Sequence, residues 1–363
     1  MGTVLLISPE HWSSHTVSKH HYALVLAQSG HQVLFTGPPE PGLGSIRVED
    51  LTGLDRIRIV RTPRVAPGLR WLPRFARHFL ESRWLRQVES LAATHIDTVW
   101  LFENSRFFDM SFAGNRLKIY HQVDLNQDFQ PEVAAASADV CLCTTDFISQ
   151  RLARVRPDVH KIHHGTAVSR QQRCSLDTTP YDKQGIHVSY IGNLDIPYLD
   201  TEAFAKITSR HPGVNFHFIG GFSEASPLRQ ACRDFPNIHW WGKVPHDQVA
   251  HLINRSDVLL VAYKSAEFKE QLASPHKFME YLLSGKVIVC SYTDEYMDKR
   301  HLVEMADPDG SVFDVFARVV QDLPHYNSAE RKAERIAFAL DHSYENQLRR
   351  IEEIVLQATG RSL

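Results

Sequence analysis

One short stretch of the chain combines residues that could hold a phosphorylated ligand. Ser274 and Pro275 suit the first turn of a helix, because serine caps the turn and proline needs no N–H there. The first N–H groups of a helix carry partial positive charge and commonly bind phosphate. Lys277 adds a full positive charge, and Glu280, one turn on, could accept hydrogen bonds from sugar hydroxyls. The stretch, with His276 inside it, predicts a nucleotide-sugar site.

Glycines follow three predicted strands upstream of that helix. Glycine lets a backbone approach a ligand closely, and the ends of parallel strands share one edge of a sheet. We therefore expect these strand ends to line the same site. The residues that we assign to it from this region are Gly192, Asn193, Gly220, Gly221, Lys243 and Val244. A glycine that only makes a tight turn is the alternative for at least one of them.

Two polar residues follow another buried strand in the first half of the chain. The strand Leu117–Tyr120 is followed by His121 and, three residues later, Asp124. Side chains just beyond the carboxyl ends of strands in open α/β sheets are often functional. We therefore predict His121 and Asp124 as catalytic residues.

The segment Arg64–Arg86 has the composition of a basic amphipathic helix. It carries six arginines against one acid, Glu81, and from Pro73 onward its apolar residues recur at steps of three and four. Such a helix suits the surface of an anionic bilayer. The alternative is a helix that packs its apolar face on the sheet and turns its arginines to water.

Composition excludes several classes of protein. The 363 residues suit two domains, and 43% hydrophobic with 23% charged residues is typical of a globular protein. Lys+Arg 40 against Asp+Glu 42 gives no indication of nucleic-acid binding. The five cysteines show no pairing framework, which favours a reducing cytoplasm.

Asp307 and Asp309 form an Asp-x-Asp pattern, but the intervening proline and following glycine favour a turn, and no metal is expected.

The order Pro-x-Lys-x-x-Glu-Tyr at 275–281, followed by Gly285-Lys286 and an apolar strand, resembles the donor-site motif of GT-B glycosyltransferases. In the broad retaining family of that fold the motif has two glutamates eight apart. Only Glu280 matches here, and the first would fall on Leu272. The sequence is more similar to bacterial polysaccharide glycosyltransferases, including the xanthan-type glucuronosyltransferase branch.

This resemblance implies an α/β protein of GT-B architecture. Two Rossmann-like domains would face each other across a cleft, and a C-terminal helix would cross back to the N-terminal domain. The implied divisions are an acceptor domain at 1–168, a linker at 169–185, a donor domain at 186–340 and the crossing helix at 341–363.

The resemblance also implies roles for individual residues. Asp124, four residues after a strand-end tyrosine, matches the catalytic base of the xanthan-type branch, and Tyr263 matches a tyrosine that contacts the donor. In the broad retaining family His121 would instead contact the donor sugar. Lys243 departs from the branch, which has an acid there. The loop and helix after the first strand would face the acceptor, with the alternative of ordinary surface residues; the residues concerned are His11, Trp12, His15 and His21.

The function implied is transfer of a sugar from a nucleotide-sugar, UDP- or GDP-linked, to a hydroxyl of a glycan acceptor. The acceptor would be lipid-linked, in bacterial surface or exopolysaccharide synthesis, with neither metal nor other cofactor. The expected location is the cytoplasm, with attachment to the inner face of the membrane through Arg64–Arg86. The alternatives are a nucleotide-sugar 2-epimerase of the same architecture and a non-catalytic carbohydrate-binding subunit.

Overall fold

The chain forms two compact units in a computed structural model. The structure describes residues 1–14, 16–125, 129–167, 178–268 and 277–363, and the backbone alone at His246. The first unit consists of Met1–His164 together with Tyr344–Leu363, and the second unit is Gly165–Ser343. Each unit is built on its own sheet, as expected for an α/β protein with two Rossmann-like domains.

The first unit contains an eight-stranded sheet with the order β3-β4-β2-β1-β5-β6-β7-β8. Only the edge strand β3 is antiparallel to its neighbour, and the other pairs are parallel. The strands are β1 Thr3–Ile7, β2 Gln32–Thr36, β3 Arg47–Asp50, β4 Ile57–Arg61, β5 Thr98–Leu101, β6 Leu117–Gln122, β7 Val140–Cys143 and β8 Val159–Lys161. The central strands are fully buried, which explains why they read as continuous apolar runs in the sequence.

The second unit contains a six-stranded, all-parallel sheet with the order β11-β10-β9-β12-β13-β14. Its strands are β9 Ile186–Ile191, β10 Val214–Ile219, β11 Ile238–Gly242, β12 Val258–Val261, β13 Val287–Cys290 and β14 Glu304–Met305. The three strands with glycine at or just after their ends, β9, β10 and β11, are thus neighbours. Their carboxyl ends form one continuous edge.

Helices cover both sheets. In chain order they are α1 Ser18–Gln28, α2 Arg74–Ala92, α3 Pro131–Ser137, α4 Asp146–Leu152, α5 Thr201–Arg210, α6 Pro227–Cys232, α7 His246–Arg255, α8 Lys277–Leu283, α9 Val312–Gln321, α10 Leu323–Tyr326, α11 Ala329–Asp341 and α12 Tyr344–Thr359. Short 3-10 helices lie at Leu69–Trp71, Met110–Ala113, Thr179–Asp182 and Asp294–Lys299.

The last helix returns to the first unit, as the resemblance implies. Leu348 and Ile351 of α12 are buried, and Gln347 donates from Nε2 to the carbonyl oxygen of His163 (2.8 Å). The ring of Tyr344 stacks on that of His21, with centroids 4.6 Å apart. The last helix is therefore part of the first unit's core.

The amino-acid sequence predicted β6 and the strands before the three glycines, but several other elements were not predicted from it. It assigned nothing to β3, β4, α6, α7 or the helices α9 to α11. The strand β3 has the sequence Arg-Val-Glu-Asp at a sheet edge, where half-exposed polar residues carry no apolar run. It also ended β6 at Tyr120, whereas the pairing with β7 continues to Gln122.

The inner face of α2 is fixed to the first unit. Arg77 donates from Nη2 to Oδ2 of Asp109 (3.1 Å), and Trp84 donates from Nε1 to Oγ1 of Thr62 (3.0 Å). Glu81 is buried one turn from Arg77, with its Oε1 3.6 Å from Nε of Arg77, and burial raises its pKa to about 8. Only the outer face of α2 is left for a partner.

Three histidines lie side by side in the second unit, His187 on β9, His217 on β10 and His239 on β11, with neighbouring ring centroids 5.2 and 4.9 Å apart. The indole N–H of Trp241 donates to Nδ1 of His217 (3.2 Å), so Nε2 of His217 carries the proton and donates to Nδ1 of His187 (3.0 Å). Nε2 of His187 then donates to the carbonyl oxygen of Lys183 (2.9 Å). Burial, followed by the nearby His239, His187 and Lys183, lowers the pKa of His217 to about 2. The network therefore requires a neutral His217.

The second unit should lose stability in mild acid because of His217. The unfolded chain binds a proton at this residue below its ordinary pKa of about 6.5, whereas the folded chain does not, so stability falls as the pH decreases. Between pH 7 and pH 5 the loss due to this group is about 2 kcal/mol. Denaturant unfolding of wild type and His217→Gln at both pH values measures it.

The control is His301→Gln, which replaces an exposed histidine of the same unit. The His301→Gln protein should keep the wild-type dependence on pH, and His217→Gln should show a shallower one. Parallel curves for wild type and His217→Gln would contradict this assignment.

Candidate functional site

The glycine-ended strands of the second unit form a closely packed edge. The N–H of Gly192 donates to the carbonyl oxygen of Ile219 (2.9 Å), and the N–H of Gly220 donates to that of Gly242 (2.8 Å). A Cβ at Gly220 would overlap the carbonyl oxygen of Gly192, so position 220 accepts only glycine. The sequence predicted that glycine lets the backbone come close to a ligand. At position 220 glycine is required because the backbones of two neighbouring strand ends come close to each other.

Lys277 lies over this edge. It is the first described residue of α8, and its Nζ donates to the hydroxyl oxygen of Tyr190 (3.2 Å) and lies 4.3 Å from the centre of that ring. A Cβ at Gly192 would come within 2.6 Å of the same Nζ. The ammonium group is thus held at the end of β9, with aromatic faces to stabilise its charge.

The position of α8 follows from its buried face. Phe278, Tyr281 and Leu282 are buried, and the hydroxyl oxygen of Tyr281 accepts a hydrogen bond from the N–H of Ile191 (2.9 Å). This bond ties the helix to the last residue of β9. The predicted contacts Ser274 and His276 lie outside the described residues, and so does the predicted start of the helix.

Lys243 supplies a second positive charge on the same sheet edge. Its side chain is exposed, and its aliphatic stem lies against Gly221, where a Cβ would come within 2.9 Å of Cε. The next residue, Val244, packs against the buried cluster of Tyr181 and Ile219. Lys243 is therefore placed to contact a ligand, while Val244 supports the loop.

The remaining predicted donor residues surround Lys277 at different depths. The ring of Tyr263 is buried and its centre lies 5.4 Å from Nζ of Lys277. Glu280 is half-buried in the first turn of α8. Oδ1 of Asn193 accepts from the N–H of Asp195 (3.0 Å), so this side chain stabilises its own turn. Tyr190 was missed by the sequence analysis, because a tyrosine inside an apolar strand looks like an ordinary core residue.

In the first unit, Asp124 lies beyond the carboxyl end of β6, as predicted. Its side chain is exposed, and its carbonyl oxygen accepts from Nε2 of Gln122 (3.3 Å). The structure describes the chain up to residue 125 here and resumes at 129. An exposed carboxylate at a strand end can accept a proton from a bound hydroxyl group.

His121 lies inside β6, which corrects the expectation that it follows the strand. It is 1% exposed and packs among the rings of Tyr22, Trp100 and Phe102. Burial lowers its pKa to about 3, and neither ring nitrogen has a hydrogen-bond partner within the described ranges. The imidazole is therefore neutral and enclosed, and a bound sugar could not reach it without a rearrangement.

The described acceptor-side residues, His11, Trp12 and His21, differ in their surroundings. Trp12 packs edge-on against Phe35, with centroids 5.1 Å apart, and His21 stacks on Tyr344 of α12. His11 is exposed, and His15 lies outside the described residues. Trp12 and His21 are thus engaged in packing inside the first unit, and the acceptor-side role of these residues stays a prediction.

The outer face of α2 and the turn before it expose three aromatic rings. Trp71, Phe75 and Phe79 recur every four residues and are 78%, 79% and 59% exposed. Exposed arginines flank them at 70, 74, 83 and 86. We call Trp71, Phe75 and Phe79 the aromatic stripe. The predicted helix is confirmed, and both predicted faces are present: an apolar face on the sheet and a second, aromatic and basic face in solvent.

The described residues contain neither a cluster of metal ligands nor a membrane-spanning helix. No group of three or more His, Cys, Asp or Glu residues is placed there to hold a metal ion. Within the same residues, no helix is both long and apolar enough to cross a bilayer. Asp307 pairs with Arg300 (2.8 Å) in a turn closed by Gly310.

Comparison with known proteins agrees with the resemblance seen in the sequence. Residues 201–353 match a family described as glycosyl transferase-like. No protein with a curated description matches the chain.

Solved structures with similar folds cover the whole chain. Sucrose-phosphate synthase from Thermosynechococcus elongatus has a TM-score of 0.72 at 12% identity, over 99% of this chain and 100% of that one. HepE from Anabaena, in complex with UDP-glucose, has a TM-score of 0.69 at 14% identity, over 98% and 99%. A UDP-forming α,α-trehalose-phosphate synthase from Burkholderia vietnamiensis has a TM-score of 0.68 at 12% identity, over 97% and 96%.

The TM-scores show a shared fold despite the low identities, and the family match over 201–353 supports the class of enzyme. The predictions of the GT-B fold and of a glycosyltransferase are therefore confirmed.

Proposed function

We propose that the protein transfers a sugar from a nucleotide-sugar to a hydroxyl group of a lipid-linked glycan acceptor at an anionic membrane surface. The observation that carries the donor assignment is the ammonium group of Lys277, held by Tyr190 over Gly192 at the carboxyl edge of the second sheet. Ligands of open α/β sheets bind at this edge. HepE, which shares the fold, binds UDP-glucose, and so UDP-linked sugars are the first donors to test.

The donor's diphosphate would lie against Lys277 and Lys243. Nζ of Lys277 is already in place before the reaction, so it can stabilise the negative charge that develops on the leaving diphosphate at little cost in reorganisation. Lys243 can contact the same diphosphate from the end of β11. Glu280 accepts hydrogen bonds from ribose or sugar hydroxyl groups.

Asp124 acts as the general base. The acceptor oxygen forms a bond to the anomeric carbon, the bond from that carbon to the diphosphate oxygen breaks, and the nucleoside diphosphate leaves with the electron pair. The carboxylate of Asp124 takes the hydroxyl proton. A single displacement of this kind inverts the anomeric centre. Asp124 is exposed and His121 is enclosed, and both observations favour the inverting mechanism over a retaining mechanism.

The aromatic stripe supports attachment to a bilayer. Aromatic side chains favour the headgroup level of membranes, and exposed arginines around them favour anionic lipids. Phe75 and Phe79 remain in solvent, so part of the apolar surface of α2 is left uncovered by the first unit, which supports the membrane assignment. The acceptor would be elongated at this surface, as in the assembly of bacterial surface polysaccharides.

Replacement of Lys277 by alanine should weaken UDP binding and reduce transfer by about a hundred-fold, because one preorganised donor to the leaving group is lost. Thermal shift with a panel of nucleotide-sugars, followed by transfer assays with the best ligand, measures both effects. The control is Lys206→Ala, an exposed lysine on α5 of the same unit, which should behave like wild type.

The same assays separate the alternatives. NMR spectra of the donor incubated without acceptor would reveal an epimerised sugar if the protein is an epimerase. A protein that shows no affinity for any nucleoside diphosphate by calorimetry would be a non-catalytic subunit, and the proposal would be wrong.

The Asp124→Asn protein should lose transfer activity by about a hundred- to ten-thousand-fold while it binds UDP normally, because only the base is removed. NMR of the wild-type product should show an anomeric configuration opposite to that of the donor. Near-full activity of Asp124→Asn, or a retained configuration, would exclude this base.

Removal of two rings of the aromatic stripe should weaken membrane attachment. The double variant Phe75→Ser/Phe79→Ser should bind vesicles containing anionic lipid at least about ten-fold more weakly than wild type, as measured by sedimentation, because each ring loses apolar contact with the bilayer. Leu91→Ser, which replaces an exposed residue of α2 outside the stripe, is the control. Equal binding by all three proteins would contradict the membrane role.

A further inference from the structure

A cavity of about 510 Å³ lies in the first unit, and of the site residues discussed above its lining includes Arg64, Arg70 and Trp71. Its walls come from four segments, which follow β1, β2, β4 and β5 in the sequence. These strands are parallel, so the cavity lies at the carboxyl edge of the first sheet. Its volume is within the range of small-molecule sites.

The cavity carries uncompensated positive charge. Three arginines line it, Arg64, Arg70 and Arg106, against one carboxylate, Glu103. Glu103 is already engaged: Oε2 accepts from Nε of Arg106 (2.7 Å), and Oε1 accepts from the N–H of Ser105 (2.6 Å). Neither Arg64 nor Arg70 has a carboxylate partner among residues that the structure describes. Two guanidinium groups are thus left for an anion, and arginine binds phosphate groups in a bidentate manner.

Aromatic contacts hold the rim of the cavity. The guanidinium of Arg70 lies 4.8 Å from the centre of the Phe129 ring, and the ring of Trp71 meets Phe129 edge-on at 6.5 Å. The carbonyl oxygen of Phe129 accepts from Nδ2 of Asn104 (2.7 Å), which ties this rim to the segment after β5. Arg70 is therefore oriented before a ligand arrives.

The cavity adjoins the aromatic stripe, and one of its walls follows β5, the neighbour of the strand that precedes Asp124. Trp71 belongs to the stripe and to the cavity wall, so a ligand in the cavity can remain connected to a bilayer at the stripe. Asp124 follows β6, which pairs with β5, and the segment after β5 forms another wall. The three features thus follow one another along a single edge of one unit.

We propose that this cavity binds the diphosphate group of the lipid-linked acceptor. This inference rests on the proposed function and adds the chemical class of the group by which the acceptor is held. Arg64 and Arg70 bind the diphosphate, the lipid chain leaves past Trp71 toward the bilayer, and the sugar extends along the sheet edge toward Asp124. The arginines of the segment Arg64–Arg86 would then bind a specific ligand as well as the membrane.

The test uses farnesyl diphosphate as a soluble probe of the lipid diphosphate, with inorganic diphosphate and farnesol as comparisons. Calorimetric titrations are carried out in the Lys277→Ala background, so that the donor site contributes little. The double variant Arg64→Gln/Arg70→Gln should bind farnesyl diphosphate at least about a hundred-fold more weakly, because two charge-assisted hydrogen-bonding groups are lost. Both arginines are exposed, so the variant should fold.

The control variant is Arg83→Gln/Arg86→Gln, which removes two exposed arginines of α2 outside the cavity. It should weaken sedimentation with anionic vesicles but leave the affinity for farnesyl diphosphate unchanged. In vesicles of neutral lipid, a few per cent of a polyprenyl diphosphate should increase sedimentation of wild type and not of Arg64→Gln/Arg70→Gln.

Each outcome decides one point. Unchanged farnesyl diphosphate affinity in Arg64→Gln/Arg70→Gln would overturn the cavity assignment. Equal affinity for inorganic and farnesyl diphosphate, with no effect of polyprenyl diphosphate in vesicles, would overturn a lipid source for the ligand. UDP binding by the protein with native Lys277 is measured separately, so that a failure of the proposed donor function is seen independently of the cavity.

Discussion

The candidate site of the second unit depends on the position of the ammonium group of Lys277. Lys277 can lie over the end of β9 only because Gly192 has no side chain, and Gly192 can lie beside Gly220 only because Gly220 has none either. The hydroxyl group and ring of Tyr190 hold the charge, and the bond from Ile191 to Tyr281 holds the helix that carries it. The glycine backbone leaves the space for the ammonium group of Lys277, and the ring of Tyr190 holds that group at the sheet edge.

In the first unit the candidate groups also lie at the carboxyl edge of a parallel sheet, but they are of a different chemical type. Parallel pairing of β4, β2, β1, β5 and β6 brings the segments that follow them to one side of the sheet, although these segments are far apart in the sequence. Guanidinium groups supply the positive charge there, and Asp124 supplies an exposed carboxylate. A sheet edge in each unit therefore carries a positively charged site, one built on lysines and the other on arginines.

The parts that could be predicted from the sequence are those encoded locally. The buried strands are continuous apolar runs, the glycines stand directly after them, and Lys277 and Glu280 belong to a recognisable motif. Asp124 was placed beyond β6 because a strand followed by polar residues is visible in a single segment. The amphipathic pattern of α2 was visible for the same reason.

The parts that could not be predicted depend on contacts between distant segments. The cavity combines four segments spread over roughly a hundred residues, and the pairing of Glu103 with Arg106, which leaves Arg64 and Arg70 unneutralised, is a matter of geometry. Tyr190 gave no indication of its contact with a residue 87 positions away. His121 was misplaced because the end of β6 is set by pairing with β7, and the polar residues at 121 and 122 concealed the last two positions of the strand.

The return of α12 to the first unit makes that unit discontinuous along the polypeptide. The second unit is contiguous, from Gly165 to Ser343, whereas the first needs Met1–His164 and Tyr344–Leu363 together. A ribosome therefore finishes the entire second unit before it makes the helix that packs on His21 and His163. During synthesis the surface of the N-terminal unit that contacts this helix therefore stays uncovered until the whole second unit has been made.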